Sequence, residues 1–255
     1  MTEQFFNYMI WCMTAMAAVV FVSLFFVNAG YGQFRNRRWG WSINNKIAWT
    51  LMEAPVFITM LVIWILSPLR FHLPQLVLFA LFQLHYFQRS FVFPWLMNGK
   101  SSMPVAIMLM GVTFNVINGL MQGGGLYWFP NPNFAEGAAY LLRWNAICGI
   151  TIFLVGLAVN WHSDYVIRHL RQPGDTRHYL PRRGMYHYVT SANYLGELME
   201  WVGFALAAAT PVAWVFPIWT AANLVPRAHA IHKKYRQEFG DEAVGKRKRI
   251  LPFIY

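Results

Sequence analysis

Residues 5–28 read FFNYMIWCMTAMAAVVFVSLFFVN, a segment without a single charged side chain. A helix that crosses the hydrocarbon core of a bilayer needs about 20 predominantly apolar residues. This segment therefore predicts a membrane-spanning helix near the N-terminus. The whole composition points the same way, because 57% of the 255 residues are hydrophobic and only 12% are charged, about half the charged fraction of a typical globular protein.

The composition also excludes other classes of protein. The aromatic content of 18% excludes a disordered chain, and only two cysteines, Cys12 and Cys148, exclude a disulfide scaffold. The net charge of +11 would suit a nucleic-acid-binding protein. However, the Lys and Arg residues lie between apolar segments rather than together on a soluble face. We therefore expect no nucleic-acid partner.

Further apolar segments predict six more spanning helices. Four of them cover residues 47–66, 73–96, 104–121 and 138–159, the last continuing as a helix to about residue 170. The segment 194–225 predicts two helices in a tight hairpin, because Thr210-Pro211 lies at its middle and proline breaks helices. We interpret the three glycines at 123–125 as a flexible connection after the fourth helix.

The positions of the basic residues predict the orientation. The connections after the first, third and fifth helices and the tail after the seventh carry most of the 21 Lys and Arg residues, whereas the opposite side carries Arg70 and Arg143. Cytoplasmic loops are enriched in these residues. The sequence therefore predicts an all-α, multi-pass membrane protein with seven transmembrane helices, its N-terminus outside and its C-terminus cytosolic.

Two polar residues inside predicted helices are candidates for function. Glu53 lies among uncharged neighbours, and an ionisable side chain inside a membrane is a functional candidate by default, although a neighbouring helix could also satisfy its carboxylate. Tyr86 lies three residues before Arg89, so the two share a helix face. Taken alone, Tyr86 fits an interfacial anchor better than a functional residue.

The run Asn160-x-x-x-Asp164-x-x-x-Arg168-x-x-Arg171 places four polar side chains on one helix face. These groups suit a ligand with amide, hydroxyl and phosphate groups, because Arg binds phosphate through two parallel hydrogen bonds. A salt-bridged surface helix is the equally acceptable alternative. Other polar residues extend the pattern through the last two helices into the tail: Asn193, Glu197, Glu200, Arg227, His232 and Tyr235. The sequence contains neither a phosphate-binding loop nor ligand spacing for a metal.

The polar motifs together resemble those of the steroid 5α-reductase family, and the similarity runs through nearly the whole chain. They are Trp49-x-x-x-Glu53-x-Pro55, Leu84-His85-Tyr86-Phe87-x-Arg89, Asn118-Gly119-x-x-Gln122-Gly123, the Asn160 to Arg171 run, Asn193-Tyr-Leu-Gly196-Glu197-x-x-Glu200-Trp201, and His232-x-x-Tyr235 with Lys248-x-Ile250-Leu-Pro252-Phe-Ile-Tyr255.

Members of that family are seven-helix membrane enzymes that reduce the Δ4 double bond of 3-oxo-steroids with NADPH. The resemblance implies that Glu53 and Tyr86 hydrogen-bond the steroid 3-oxo group, and that Trp49 and Arg89 lie around the steroid pocket. It implies an NADPH site lined by Asn160, Asp164, Arg171, Asn193, Glu197 and Tyr235. We add three residues to this site from their position and charge: Arg168, His232 and Lys100.

Two segments depart from the family pattern, His178-Tyr179-Leu180-Pro181 and Asn98-Gly99-Lys100-Ser101. Relatives are basic at both segments, and the resemblance still leads us to expect a preference for NADPH over NADH. Arg182 and Arg183, together with Lys100, would then supply the positive charge.

We therefore expect one membrane domain, with the substrate pocket in the first four helices (about 5–121) and the NADPH region at about 138–255. The partners expected are a 3-oxo-Δ4-steroid and membrane lipid, with no metal and no obligate protein partner. The membrane would be the inner membrane in a bacterium or the endoplasmic reticulum in a eukaryote. The nearest alternative is a trans-2-enoyl-CoA or polyprenol reductase. A membrane methyltransferase, whose cofactor lacks phosphate, and a transporter, which usually shows internal repeats, fit less well.

Overall fold

The computed structural model describes residues 1–27, 39–98, 101–171, 175 and 177–255. Two short strands, β1 (Ser42–Asn44) and β2 (Ser102–Pro104), pair antiparallel directly before α2 and α5. The helices of these ranges are α1 (Glu3–Phe26), α2 (Asn45–Leu66), α3 (Leu73–Phe87), α4 (Phe93–Leu96), α5 (Val105–Tyr127), α6 (Ala138–Leu141), α7 (Trp144–Arg168), α8 (Ala192–Ala208), α9 (Pro211–Phe239) and α10 (Asp241–Val244).

Five helical segments of the described chain are long and apolar enough to cross a membrane: α1, α2, α3 together with α4, α5 and α7. The protein is thus a mostly helical integral membrane protein, as the composition predicts. The other two long helices, α8 and α9, are not among the five. Since α8 has only 17 residues and includes Glu197 and Glu200, the count of seven spans and the orientation stay predictions.

The third span changes its geometry near its end. A π-helical turn, Gln88–Val92, connects α3 to α4 and contains Arg89. Phe93 donates its backbone N–H to Gln88 O, five residues back, and the next residue, Pro94, has no N–H to donate. Such wide turns occur frequently at functional sites, and this one sets the position of the Arg89 side chain.

The α7–α8 pair has the closest helix packing that bears on the polar residues. A Cβ on Gly156 of α7 would lie 2.7 Å from Gly196 O, and a Cβ on Gly203 of α8 would lie 2.5 Å from Gly149 O. Only glycine permits this approach, because real Cβ atoms do not come so close to a backbone oxygen. The close packing brings the polar face of α7 directly against the polar face of α8.

The three glycines at 123–125 are not a flexible connection, and that interpretation was wrong. They lie buried in the last turns of α5. A Cβ on Gly123 would lie 2.7 Å from Ile63 Cδ1, and one on Gly124 would lie 2.6 Å from Phe6 Cε2. Their missing side chains let α5 pack against α1 and α2, which is a packing requirement that looks like a loop signal in the sequence.

Two helix boundaries test the remaining expectations. The break at Thr210-Pro211 is confirmed, because α8 ends at Ala208, the next residue Ala209 is left-handed with φ 49°, and α9 begins at Pro211. The fifth predicted helix begins later than expected, at Trp144 rather than residue 138. Arg143 interrupts it: its backbone is extended and its guanidinium pairs with Glu136 in the preceding turn.

We predict that Gly203→Ala destabilises the protein. The added methyl group must push α7 away from α8, and overpacking of this kind costs about 1–3 kcal/mol. The thermal unfolding midpoint in detergent should fall by several degrees. Ala18→Val on the exposed face of α1 is the matched control and should leave the midpoint unchanged; equal midpoints for the two variants would contradict the packing argument.

Candidate active site

Glu53 of α2 and Tyr86 of α3 are both held by asparagines of α5. Asn115 Nδ2 donates to Met52 O at 2.7 Å and to Glu53 Oε2 at 3.2 Å. Asn118 Nδ2 donates to the Tyr86 hydroxyl oxygen at 3.5 Å. Because Asn115 and Asn118 are three residues apart, they lie on one face of α5, and they bring the two predicted catalytic residues to the same site.

The Tyr86 ring is enclosed by aromatic side chains. Its centroid lies 4.8 Å from that of Phe82, 5.6 Å from that of Trp201 and 6.4 Å from that of Phe216. Tyr86 is only 3% exposed. Hydrogen bonds and charges act more strongly in such surroundings than in water, so the hydroxyl group lies where a polar ligand atom would interact strongly with it.

Arg89 joins the two predicted halves of the chain. Its guanidinium carbon lies 4.8 Å from the Trp49 ring centre and 4.7 Å from the Phe93 ring centre, both in the first half. Its nitrogens lie 3.6 Å from Asp164 Oδ2 and 3.6 Å from Glu197 Oε2, both in the second half. The side chain is 12% exposed. Arg89 is therefore a nearly buried cation between an aromatic pair and a carboxylate pair.

Asn193 of α8 is the centre of a polar cluster. Asn160 Nδ2 donates to the Asn193 backbone oxygen at 2.9 Å. The Asn193 amide donates to Asp164 Oδ1 at 3.4 Å, and its own oxygen accepts from the Tyr186 hydroxyl at 3.3 Å. The polar faces predicted for the fifth and sixth helices thus meet each other rather than solvent.

A cavity of about 400 Å³ opens beside this cluster, between α2, α7, α9 and the connecting loops. Six of the thirteen sequence-predicted site residues lie on its wall: Trp49, Asp164, Arg168, Arg171, Asn193 and Tyr235. The wall also includes Arg227, which belongs to the polar pattern noted in the sequence, and four further donors that were not predicted to line the site: Lys46, Tyr179, Tyr186 and Ser191. The donors come from both halves of the chain, so the cavity does not belong to the second half alone.

Several predicted residues lie elsewhere. His232 is buried and is not on the wall; its Nδ1 lies 3.2 Å from Oγ1 of Thr190, which is on the wall. Arg182 and Arg183 are exposed and are not on the cavity wall, and Arg182 lines a separate surface cavity near the C-terminus. Lys100 lies outside the described residues. The positive charge observed on the wall comes from Lys46, Arg168, Arg171 and Arg227 instead.

The loop after α7 contributes a tyrosine fixed by a charged pair. The Tyr179 hydroxyl donates to Asp175 Oδ2 at 2.6 Å, and Arg177 Nη2 donates to the same oxygen at 2.9 Å. These hydrogen bonds, chiefly that from Arg177, hold the pKa of Asp175 well below its usual value. Asp175 therefore stays ionised at neutral pH and keeps Tyr179 oriented at the edge of the cavity.

A metal centre is not formed by the residues that the structure describes, since they contain no group of three or more His, Cys, Asp and Glu side chains placed to hold an ion. The polar groups of the site are guanidiniums, which suit phosphate groups, and amides, hydroxyls and carboxylates, which suit the hydroxyl and amide groups of an organic ligand.

Comparison with known proteins identifies the family. A family model described as 3-oxo-5-alpha-steroid 4-dehydrogenase matches residues 101–255. A steroid 5-alpha-reductase of Gossypium hirsutum is 33% identical over 260 residues, covering 99% of this chain and 98% of the relative. The 3-oxo-5-alpha-steroid 4-dehydrogenase 1 of Bos taurus is 33% identical over 261 residues (94% and 93%), and the Homo sapiens type 2 protein is 36% identical over 211 residues (82% and 81%). The chain therefore belongs to the steroid 5α-reductase family.

Proposed function

We propose that this protein reduces the Δ4 double bond of 3-oxo-Δ4-steroids to 5α-steroids with NADPH. Family membership supports the reaction class. The observation that carries the proposal is the arrangement of Asn115 and Asn118, which donate to Glu53 and Tyr86. Both amides occupy acceptor positions, so the Tyr86 O–H and the other Glu53 oxygen stay available for a ligand.

This arrangement suits an enone substrate. Addition at C5 develops negative charge on the distant 3-oxo oxygen, and fixed donors in a dry site stabilise such charge. The Tyr86 hydroxyl donates one hydrogen bond, and Glu53 in its protonated form donates a second. An ionised Glu53 would repel the same oxygen, so the proposal requires the proton on the carboxyl group.

The residues of the cavity fit NADPH. Ser191 and Asp164 line the cavity, and neither Ser191 Oγ nor Asp164 Oδ2 makes a hydrogen bond among the described residues, although Asp164 Oδ2 faces the Arg89 guanidinium at 3.6 Å. Ser191 also precedes the first turn of α8, and the N-terminus of a helix attracts phosphate. The guanidiniums of Arg168 and Arg171 supply further phosphate-binding donors, while Asp164 is an acceptor for a hydroxyl or amide hydrogen.

The two sites divide the work of the reaction. When bound, NADPH supplies the hydride that adds to C5, and a proton added at C4 completes the reduction. Arg89 holds Asp164 and Glu197 beside α3, so the cofactor wall stays aligned with the Tyr86 hydroxyl. In this proposal α1–α5 bind the steroid, and residues 138–255 supply most of the cofactor wall.

We further propose that α8 and α9 also cross the membrane, giving seven spans with the N-terminus outside. The bend at Ala209, between two helices of 17 and 29 residues, supports this, because it would return the chain across the bilayer as a hairpin. The connection 177–190 and the basic tail then lie together in the cytosol.

We predict that variants at Glu53 and Tyr86 lower kcat, whereas a variant on the cavity wall weakens NADPH binding. In detergent with NADPH and a Δ4-3-oxo-steroid, Tyr86→Phe and Glu53→Gln should lower kcat by about 10²-fold or more, as expected for loss of one fixed donor, with NADPH affinity nearly unchanged. Arg171→Gln should instead weaken NADPH binding about tenfold or more.

Two results would count against this assignment. Loss of NADPH binding in Tyr86→Phe would place that residue in the cofactor site. Turnover of a trans-2-enoyl-CoA by the wild-type protein, with none of the steroid, would refute the proposed substrate while leaving the scaffold intact.

Accessibility to thiol reagents tests the seven-span topology. In a background without Cys12 and Cys148, a membrane-impermeant reagent added to intact cells should label Arg70→Cys and Ala209→Cys but not Arg183→Cys. Protection of Ala209→Cys together with Arg183→Cys would show that α8 and α9 do not cross the membrane.

A further inference from the structure

A second pair of ionisable side chains lies behind Tyr86 and has no role in the reaction as described above. His85 Nδ1 of α3 lies 2.7 Å from Glu200 Oε2 of α8. His85 is 3% exposed and Glu200 is 0% exposed. The pair is therefore a hydrogen bond wholly inside the protein, and it connects the helix that carries Tyr86 to the helix that carries Glu197.

The pair forms one of two parallel connections between α3 and α8. His85 lies four residues before Arg89, and Glu200 lies three residues after Glu197, so each pair of side chains shares a helix face. His85 contacts Glu200, while Arg89 contacts Glu197 at 3.6 Å. Since the earlier residue of one helix contacts the later residue of the other, α3 and α8 are antiparallel here. The two contacts together fix the position of α3 along α8.

Tyr86 packs directly beside the His85–Glu200 connection. The His85 ring lies 5.0 Å from the Tyr86 ring and 4.6 Å from that of Trp201, which directly follows Glu200. Trp201 in turn contacts Tyr86 at 5.6 Å. A change in the distance between His85 and Glu200 would therefore shift both neighbours of the catalytic hydroxyl.

Stability alone does not account for this pair. A buried charged or hydrogen-bonded pair is often no more stable than two apolar side chains of similar volume. Moreover, Glu200 Oε1 is buried without a hydrogen-bond partner among the residues described, and an unsatisfied buried oxygen is destabilising. An arrangement that costs stability at the edge of a catalytic site points to a functional role.

We propose that His85 and Glu200 are positioning residues, whose hydrogen bond sets the Tyr86 hydroxyl relative to the cofactor wall on α7 and α8. This inference rests on the proposed function. The hydrogen bond acts through geometry and not through direct contact with substrate, so its loss lowers kcat while cofactor binding is retained. A displacement of about 1 Å is enough to reduce turnover by about 10²-fold.

Two substitutions of His85 with the same functional group test the proposal. His85→Asn keeps an N–H near the position of Nδ1 and should keep kcat within about threefold of wild type. His85→Gln moves the N–H away from Glu200 and should lower kcat about tenfold or more. Equal kcat values for the Asn and Gln variants would overturn the proposal.

A double variant separates positioning from folding. His85→Leu with Glu200→Met removes both partners, so no group is left unpaired and stability should change little. Thermal midpoint and NADPH affinity should match wild type, whereas kcat should fall about tenfold or more. Wild-type kcat in this variant would overturn the proposal. Glu136→Gln, in the exposed pair with Arg143, is the control and should leave kcat unchanged.

The same double variant in a Tyr86→Phe background gives a result that a purely structural role cannot produce. Once the Tyr86 hydroxyl is absent, its position no longer matters, so the double variant should lower kcat by less than a further twofold or so. Such a difference between the two backgrounds is a strong coupling in a double-mutant cycle. Equal losses in both backgrounds would overturn the positioning role. Turnover of steroid by the wild type tests the proposed function separately. If the wild type reduces another enone instead, the same kcat ratios of variants to wild type, measured with that enone, still test the role of His85 and Glu200.

Discussion

The buried guanidinium of Arg89 is the interaction on which the arrangement of the site depends. It lies between the Trp49 and Phe93 rings and is balanced by Asp164 and Glu197. A buried cation is tolerated only with such partners, since desolvation of an unpaired charge is highly unfavourable. The two carboxylates require the cation for the same reason. The helices of the first half and those of the second half are thus held together by mutual charge compensation.

The rest of the site extends from this contact in two directions. Toward α5, asparagine side chains donate hydrogen bonds to Glu53 Oε2 and to the Tyr86 hydroxyl oxygen. Toward α9, the cluster around Asn193 leads to a cavity whose wall combines guanidiniums with the N-terminus of α8. The glycine contacts between α7 and α8 permit this geometry, because they remove the side chains that would separate the two polar faces.

Local signals in the sequence predict much of this structure, and long-range pairing accounts for what they miss. Hydropathy and Thr210-Pro211 locate the long helices, because both act within a few residues. His85 and Glu200 stand 115 residues apart, and no spacing rule relates them. Three consecutive glycines, as at 123–125, occur both in loops and in closely packed helices, so only the tertiary contacts distinguish the two cases. Ser191 is not assigned to the site from the sequence, because an uncharged hydroxyl near a helix start usually caps that helix.

Substitution of Arg89 by lysine tests the central claim most directly, because lysine retains the positive charge but cannot lie flat between two rings or face two carboxylates at once. The measurement is kcat for a Δ4-3-oxo-steroid with saturating NADPH, taken beside NADPH affinity and the thermal midpoint. We expect a folded protein that binds NADPH and whose kcat falls about tenfold or more. An Arg89→Lys protein with wild-type kcat would show that alignment of the two halves does not depend on this side chain.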